Sequence, residues 1–227
     1  MTPIQSAYIL DNELYGSVEY WNSRYAEISE DNRFEWFKSY HDLSHLIDLH
    51  VPKNAEICIL GCGNSSLSKD MYDSGFHKIT NVDFSHVLIE RMSSQHAEKC
   101  PEMSWIQADV RQLPFADASF DTAIDKGEPN HGCIDVRQRG CMGESEQPSV
   151  TNRDPPQEVI ENCKLEVDEV ARILKPGGVF IYITFGQPHF RKSHLQRPGL
   201  WSLEVTQLGD MFHYYFYLMK KSIHPNP

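Results

Sequence analysis

Three carboxylates and a lysine are spaced along this chain in a way that could bind and orient a cofactor. Asp83 closes an apolar run from Ile79 to Val82, Asp109 follows a run from Met103 to Ala108, and Asp125-Lys126 ends a third that begins at Phe120. Ahead of them stands Ile57-Cys58-Ile59-Leu60-Gly61-Cys62-Gly63-Asn64-Ser65-Ser66, an apolar run that breaks into glycines. Short apolar runs bounded by turn residues mark buried parallel strands, and glycine lets a backbone turn sharply where a Cβ would obstruct a ligand. Asp83 comes about 20 residues after the first glycine, at the end of the next strand, where a carboxylate can accept hydrogen bonds from both ribose hydroxyls. The pattern points to a nucleoside-containing cofactor.

These residues need a sheet whose strands all end at one edge, because ligands of open α/β sheets bind at the carboxyl ends of the strands. Four strands are read from the runs above, and Val179 to Phe185 is a fifth. Trp201 to Leu208 and Met211 to Met219 flank Gly209-Asp210 and suit an antiparallel hairpin. Helices fall between them. Ser17 can cap a helix carrying Trp21 and Tyr25 at i, i+4 spacing, and a second helix is expected near Phe34. Gly75 ends the helix after the glycine loop, and Ser85 caps the next. Asp154-Pro155-Pro156 opens a longer helix in which Val159, Cys163, Val167, Val170, Ala171 and Leu174 recur at helical intervals, before Lys175-Pro176-Gly177-Gly178 stops it. The expected fold is α/β and Rossmann-like, a seven-stranded, mostly parallel sheet with a C-terminal antiparallel hairpin.

The third glycine of a dinucleotide fingerprint is missing, since position 66 is Ser. That argues against a nicotinamide or flavin dinucleotide, whose pyrophosphate sits on a helix N-terminus. The glycine loop followed by strand-end acids resembles the class I S-adenosylmethionine-dependent methyltransferases. A closer resemblance rests on Glu19-Tyr20-Trp21-Asn22-Ser23-Arg24-Tyr25, Glu35-Trp36-Phe37, Leu60 to Ser65, Val82-Asp83-Phe84-Ser85, Asp125-Lys126-Gly127 and Pro188-His189-Phe190-Arg191. These are similar to the methyltransferase-like proteins that modify lysines of translation elongation factor 1-alpha, and more distantly to citrate synthase lysine methyltransferase.

The resemblance covers the chain from about Tyr15 to Lys221 and implies a protein lysine methyltransferase that uses S-adenosyl-L-methionine. It places Gly61, Gly63, Asp83, Phe84, Asp109, Val110 and Lys126 in the cofactor site, with Asp109 accepting the adenine amino group and the Val110 amide meeting a ring nitrogen. Trp21, Tyr25 and Trp36 are then expected to close the pocket, where aromatic faces suit a sulfonium cation. Asp125, beside the reacting end, is the candidate for orienting the amine. A small-molecule methyltransferase, or a cofactor-binding protein without activity, shares the same cofactor half.

Length and composition suit one domain over residues 1–227, with N-terminal helices in 1–50 closing the cofactor site. The formal net charge of −11 argues against nucleic acid as the main partner and is compatible with a basic protein substrate. No apolar run is long enough to span a membrane, and Met1 to Tyr20 carries no Lys or Arg, so a basic leader is not expected and the cytoplasm is the expected compartment. The six cysteines form no Cys-x-x-Cys pair and are expected to be reduced; His131, Cys133 and Cys141 fit no common zinc spacing, and no metal is expected. Residues 128–153 depart from the family pattern, are polar and lack a period, and are read as an irregular insertion or substrate-side loop.

Overall fold

A computed structural model of the protein describes residues 17–27, 35, 37–126, 157–209 and 213–224. Trp36 and the 128–153 segment lie outside them.

β1 (Ile57–Leu60) is buried at every position, as a central strand covered on both faces must be. It pairs in parallel with β2 (Ile79–Asp83) on one side and with β4 (Phe120–Lys126) on the other. β3 (Ser104–Gln107) extends the β2 side, and β5 (Leu174–Thr184) the β4 side, both in parallel. The last two strands, β6 (Trp201–Leu208) and β7 (Tyr214–Lys221), form an antiparallel hairpin, with β7 inserted antiparallel between β5 and β6. The order among the described residues is therefore β3-β2-β1-β4-β5-β7-β6. The chain runs outward from β1 to β3 and then returns to β4, so the topological switch point lies between β1 and β4, where Gly61 follows one strand and Lys126 ends the other.

Successive strand residues point to opposite faces, which divides the core in two. Ile57, Ile59, Ile124 and Ile181 face one layer, which contains α1 (Val18–Glu27), α2 (Tyr40–His50), α3 (Leu67–Asp73) and α4 (His86–His96). Cys58, Leu60, Phe180 and Tyr217 face the other, built by α5 (Gln157–Ile173) and α6 (Pro188–Leu195).

Local signals explain most helix ends. The Ser17 hydroxyl accepts from the Tyr20 amide (3.3 Å), and the Ser85 hydroxyl from the Leu88 amide (3.3 Å). α3 ends where Gly75, at φ +96°, lets the Phe76 amide return to the Met71 carbonyl (3.1 Å).

Two boundaries and one helix differ from expectation. α2 begins at Tyr40 rather than near Phe34, because Ser39 and Asp42 form a reciprocal capping box. Leu174 and Lys175-Pro176-Gly177-Gly178 belong to β5, since Leu174 pairs with Phe120 and the register then shifts. A Cβ on Gly178 would lie 2.9 Å from the Asp121 and Lys175 carbonyl oxygens, so glycine is what allows the strand to pass through this irregularity. α6 carries too short an apolar pattern to be read in advance.

Cys58, Cys62 and Cys100 are free, as expected, and all three are buried. Cys163 is instead disulfide-bonded, which corrects the expectation of reduced thiols throughout. No described helix is long and apolar enough to cross a membrane, and no described cluster of residues could hold a metal ion.

Candidate active site

The loop after β1 takes its shape from Gly61 and Gly63, at φ 52° and 51°. A residue with a Cβ pays about 1 to 2 kcal/mol in that left-handed region. The turn brings the Gly63 amide onto Asp83, whose Oδ2 accepts from it at 3.0 Å while Oδ1 accepts from the Ser85 amide at 3.0 Å. Asp83 is 3% exposed, and burial, only partly offset by these backbone donors, raises its pKa from 3.8 to about 6. A carboxylate has about four acceptor positions. Each Asp83 oxygen thus retains capacity for a further donor.

α1 lies over this loop. A Cβ on Gly63 would meet the Tyr25 hydroxyl at 3.4 Å, so that hydroxyl sits directly above the glycine turn. Asn22 Oδ1 accepts from the Ser85 hydroxyl (2.6 Å), and Arg91 donates to the Tyr25 carbonyl (2.7 Å), tying α1 to the start and middle of α4. Trp21 stacks at a tilt on Tyr25 with ring centroids 5.3 Å apart, and both rings belong to the first core cluster. Phe84, half-buried, packs against the same cluster.

At the end of β3, Asp109 is gripped by Arg111. Asp109 Oδ1 accepts from the Arg111 amide (2.8 Å) and Nε (2.9 Å), and Oδ2 from a terminal guanidinium nitrogen (2.6 Å). The other terminal nitrogen reaches Asn162 on α5 (3.0 Å), so the grip also fixes β3's exit loop to a helix. Val110 points away into the second core cluster.

Lys126 ends β4 with its side chain 3% exposed and donates to Glu35 at 2.6 Å. The same carboxylate accepts from the Ser65 hydroxyl, the Ser66 hydroxyl (2.9 Å) and the Ser66 amide (3.2 Å). Ser66 precedes α3 and makes no side-chain cap of its own, so Glu35 supplies the cap from outside. Burial works against the Glu35 charge, yet Lys126 and the serine donors outweigh it and hold the carboxyl below its ordinary range. At Lys126, burial pulls the ammonium below its ordinary range despite Glu35. Asp125, fully buried, lies beside Leu60 of β1 and Tyr182 of β5 in register.

Residues 57–143 match the family model described as a methyltransferase domain. Among solved structures, the Burkholderia thailandensis 1,6-didemethyltoxoflavin-N1-methyltransferase superposes with a TM-score of 0.56 at 13% identity, covering 98% of this chain and 91% of that one; this likeness shows the fold alone. The chain is 34% identical over 211 residues to EEF1A lysine methyltransferase 4 of Mus musculus, covering 92% of this chain and 77% of the relative. It is 33% identical to the Bos taurus protein of the same name, covering 91% and 76%. The chain belongs to this family of S-adenosylmethionine-dependent methyltransferases.

The residues present fit the cofactor of such a methyltransferase. Asp83 is a buried carboxylate with acceptor capacity left for a diol, the Gly61–Gly63 turn has no Cβ to obstruct a ligand, and Lys126 offers a cation at the adjacent strand end. Asp109 keeps part of its surface open, but any adenine amino group has to share its oxygens with Arg111. Phosphate is poorly matched, because Glu35 already occupies the α3 N-terminus with negative charge.

Of the residues expected in the site, Gly61, Gly63, Asp83, Lys126 and Tyr25 converge on the β1 loop. Asp109 lies at the next strand end, Asp125 is enclosed in the sheet, and Trp36 is outside the described residues. Arg111 and Glu35 were missed as site residues. An arginine two positions after a strand-end acid is a usable local signal, because the acid's side chain closes a turn on that residue's amide. Glu35 had only its place in the Glu35-Trp36-Phe37 motif.

Proposed function

We propose that this methyltransferase transfers the methyl group of S-adenosylmethionine to a lysine of translation elongation factor 1-alpha. One observation carries the reading: a curated EEF1A lysine methyltransferase is 34% identical across 92% of this chain. The bound cofactor supplies a methyl carbon activated by a sulfonium. Asp83 would hold the ribose hydroxyls, Asp109 oriented by Arg111 would meet the adenine edge, and Lys126, held by Glu35, would supply positive charge toward the cofactor's carboxylate while Glu35 steadies the glycine loop. Tyr25 covers the loop and keeps water out. Asp125 orients the lysine amine, and burial at this strand end favours the neutral amine, which is the nucleophile.

The enzyme's main contribution is alignment, which can be worth about 7 to 11 kcal/mol. Labelled methyl transfer from S-adenosylmethionine to unmethylated recombinant elongation factor 1-alpha, with mapping of the labelled residue, tests the proposal. Asp125→Asn is expected to lower kcat by at least tenfold with cofactor affinity kept. Cofactor binding with no label in the factor would reject this substrate, and label appearing only in small molecules would favour the small-molecule alternative.

A further inference from the structure

Arg191 lies on α6, just beyond the carboxyl end of β5, and its side chain folds back onto Gly186. A Cβ on Gly186 would lie 2.3 Å from Arg191 Nε and 2.9 Å from its Cγ, so the arginine takes the volume that any larger residue would fill. The Tyr217 hydroxyl donates to the Gly186 carbonyl at 2.6 Å and pins that backbone in place. Arg191 is 7% exposed, its Nε has no hydrogen-bond partner, and no described residue forms an ion pair with it. Burying a guanidinium without an acceptor is strongly unfavourable. Nε is thus a buried donor that no described residue accepts.

The guanidinium faces a half-open pocket of about 20 Å³ between α5, β5 and α6, whose walls include Glu166, Phe180, Tyr182 and His194. That volume holds about one water-sized group. The tip of a side chain can enter it, while a ring or a nucleobase cannot. Tyr182 on the wall is the cross-strand partner of Asp125, so the pocket begins about one strand spacing, roughly 5 Å, from the acid assigned to the amine. Glu166 is buried in the same wall and adds a carboxyl group to the pocket lining.

We propose that Arg191 and this pocket form a subsite for an aspartate or glutamate side chain lying within two residues of the target lysine in the protein substrate. This rests on the lysine methyltransferase reading. An extended peptide advances about 3.3 Å per residue. A neighbour one or two positions from a lysine whose amine reaches toward Asp125 lies about 3 to 7 Å along the chain, a span comparable to the distance from Asp125 to the pocket. The guanidinium fork matches a carboxylate in shape and charge, and the pair forms in a site already desolvated.

The test has a transfer arm and a binding arm. In the first, lysine-centred peptides carrying Asp or Asn at each of the two flanking positions on either side are methylated with labelled S-adenosylmethionine. The wild type is expected to prefer the acidic peptide by at least tenfold in kcat/KM at one position. Arg191→Met should reduce that preference to within twofold, with calorimetric affinity for S-adenosylmethionine kept within twofold. Gly186→Ala, which displaces the guanidinium but keeps its charge, should also erode the preference and serves if Arg191→Met does not fold. Wild-type methylation without preference for the acid, or a preference that survives in the folded variants, overturns the subsite.

In the second arm, N-acetyl-aspartate amide at millimolar concentration should raise the Tm of the wild type and leave that of Arg191→Met unchanged. If the probe binds through Arg191 but no protein lysine is methylated, the carboxylate pocket stands and the lysine methyltransferase reading fails. If transfer proceeds and neither the probe nor the flanking acid has any effect, the subsite falls and the reading stands.

Discussion

Glu35 and Lys126, 91 positions apart in sequence, form an ion pair at 2.6 Å that joins the N-terminal segment to the end of β4. The lysine side chain is 3% exposed and the glutamate 27%. Removing the carboxylate takes a charge and a hydrogen bond away from a buried ammonium, a change that costs about 3 kcal/mol at the low end for buried pairs. Glu35→Gln is therefore expected to lower unfolding stability by about that amount, and Glu35→Gln with Lys126→Met to recover most of it. Urea denaturation of the double-mutant cycle measures the coupling. Strictly additive losses would show that the pair contributes nothing as a pair.

Burial raises the Asp83 pKa from 3.8 to about 6, which sets two pH dependences of opposite sign. Below 3.8 the group is protonated in both the folded and unfolded chain; between 3.8 and about 6 the unfolded chain ionises first, so its contribution to stability falls as pH rises through this window and then levels off. Cofactor affinity runs the other way, because the ionised carboxylate is the better acceptor for ribose hydroxyls. Calorimetry is expected to show S-adenosylmethionine binding strengthen about tenfold from pH 5 to 7, with Asp83→Asn both weak and flat across the range. A wild-type profile with no inflection near pH 6 would count against Asp83 as the ribose acceptor.

Arg111 grips Asp109 in a pair that is about one-third exposed on both sides. Such pairs contribute only about 0 to 1 kcal/mol to folding. Arg111→Ala should thus leave the Tm nearly unchanged while weakening cofactor affinity about fivefold, through loss of Asp109's fixed orientation. Equal affinity in variant and wild type would mean that Asp109 needs no such support.

Tyr25 and Trp21 share one helical face but are expected to separate by experiment. Tyr25→Phe removes only the hydroxyl above the Gly63 turn and should weaken cofactor binding a few-fold with little loss of stability. Trp21→Phe leaves a void in the first core cluster and should cost about 1 to 3 kcal/mol. If Trp21→Phe loses cofactor affinity without losing stability, its role is in the pocket rather than the core.

The strands, the glycine turn and the carboxylates at the strand ends were legible in the sequence because each has a local cause. Ile57 to Leu60 is apolar enough to be buried on both faces, Gly61 and Gly63 tolerate a left-handed backbone, and the residue after an apolar run falls at the sheet's edge wherever that run lies. Ser17, Gly75 and Ser85 mark helix ends for the same reason, since caps act within one turn. Other features depend on what lies across the fold. β5 starts at Leu174 because Phe120 is there to pair with it, and β7 separates β5 from β6 because strand neighbours are chosen by packing and register rather than by order in the chain. Glu35 reaches Lys126 and caps α3, and Arg191 lies on Gly186, only once the backbone has folded. A charged side chain carries no periodicity that announces its partner; burial and proximity choose that partner, and both belong to the tertiary structure.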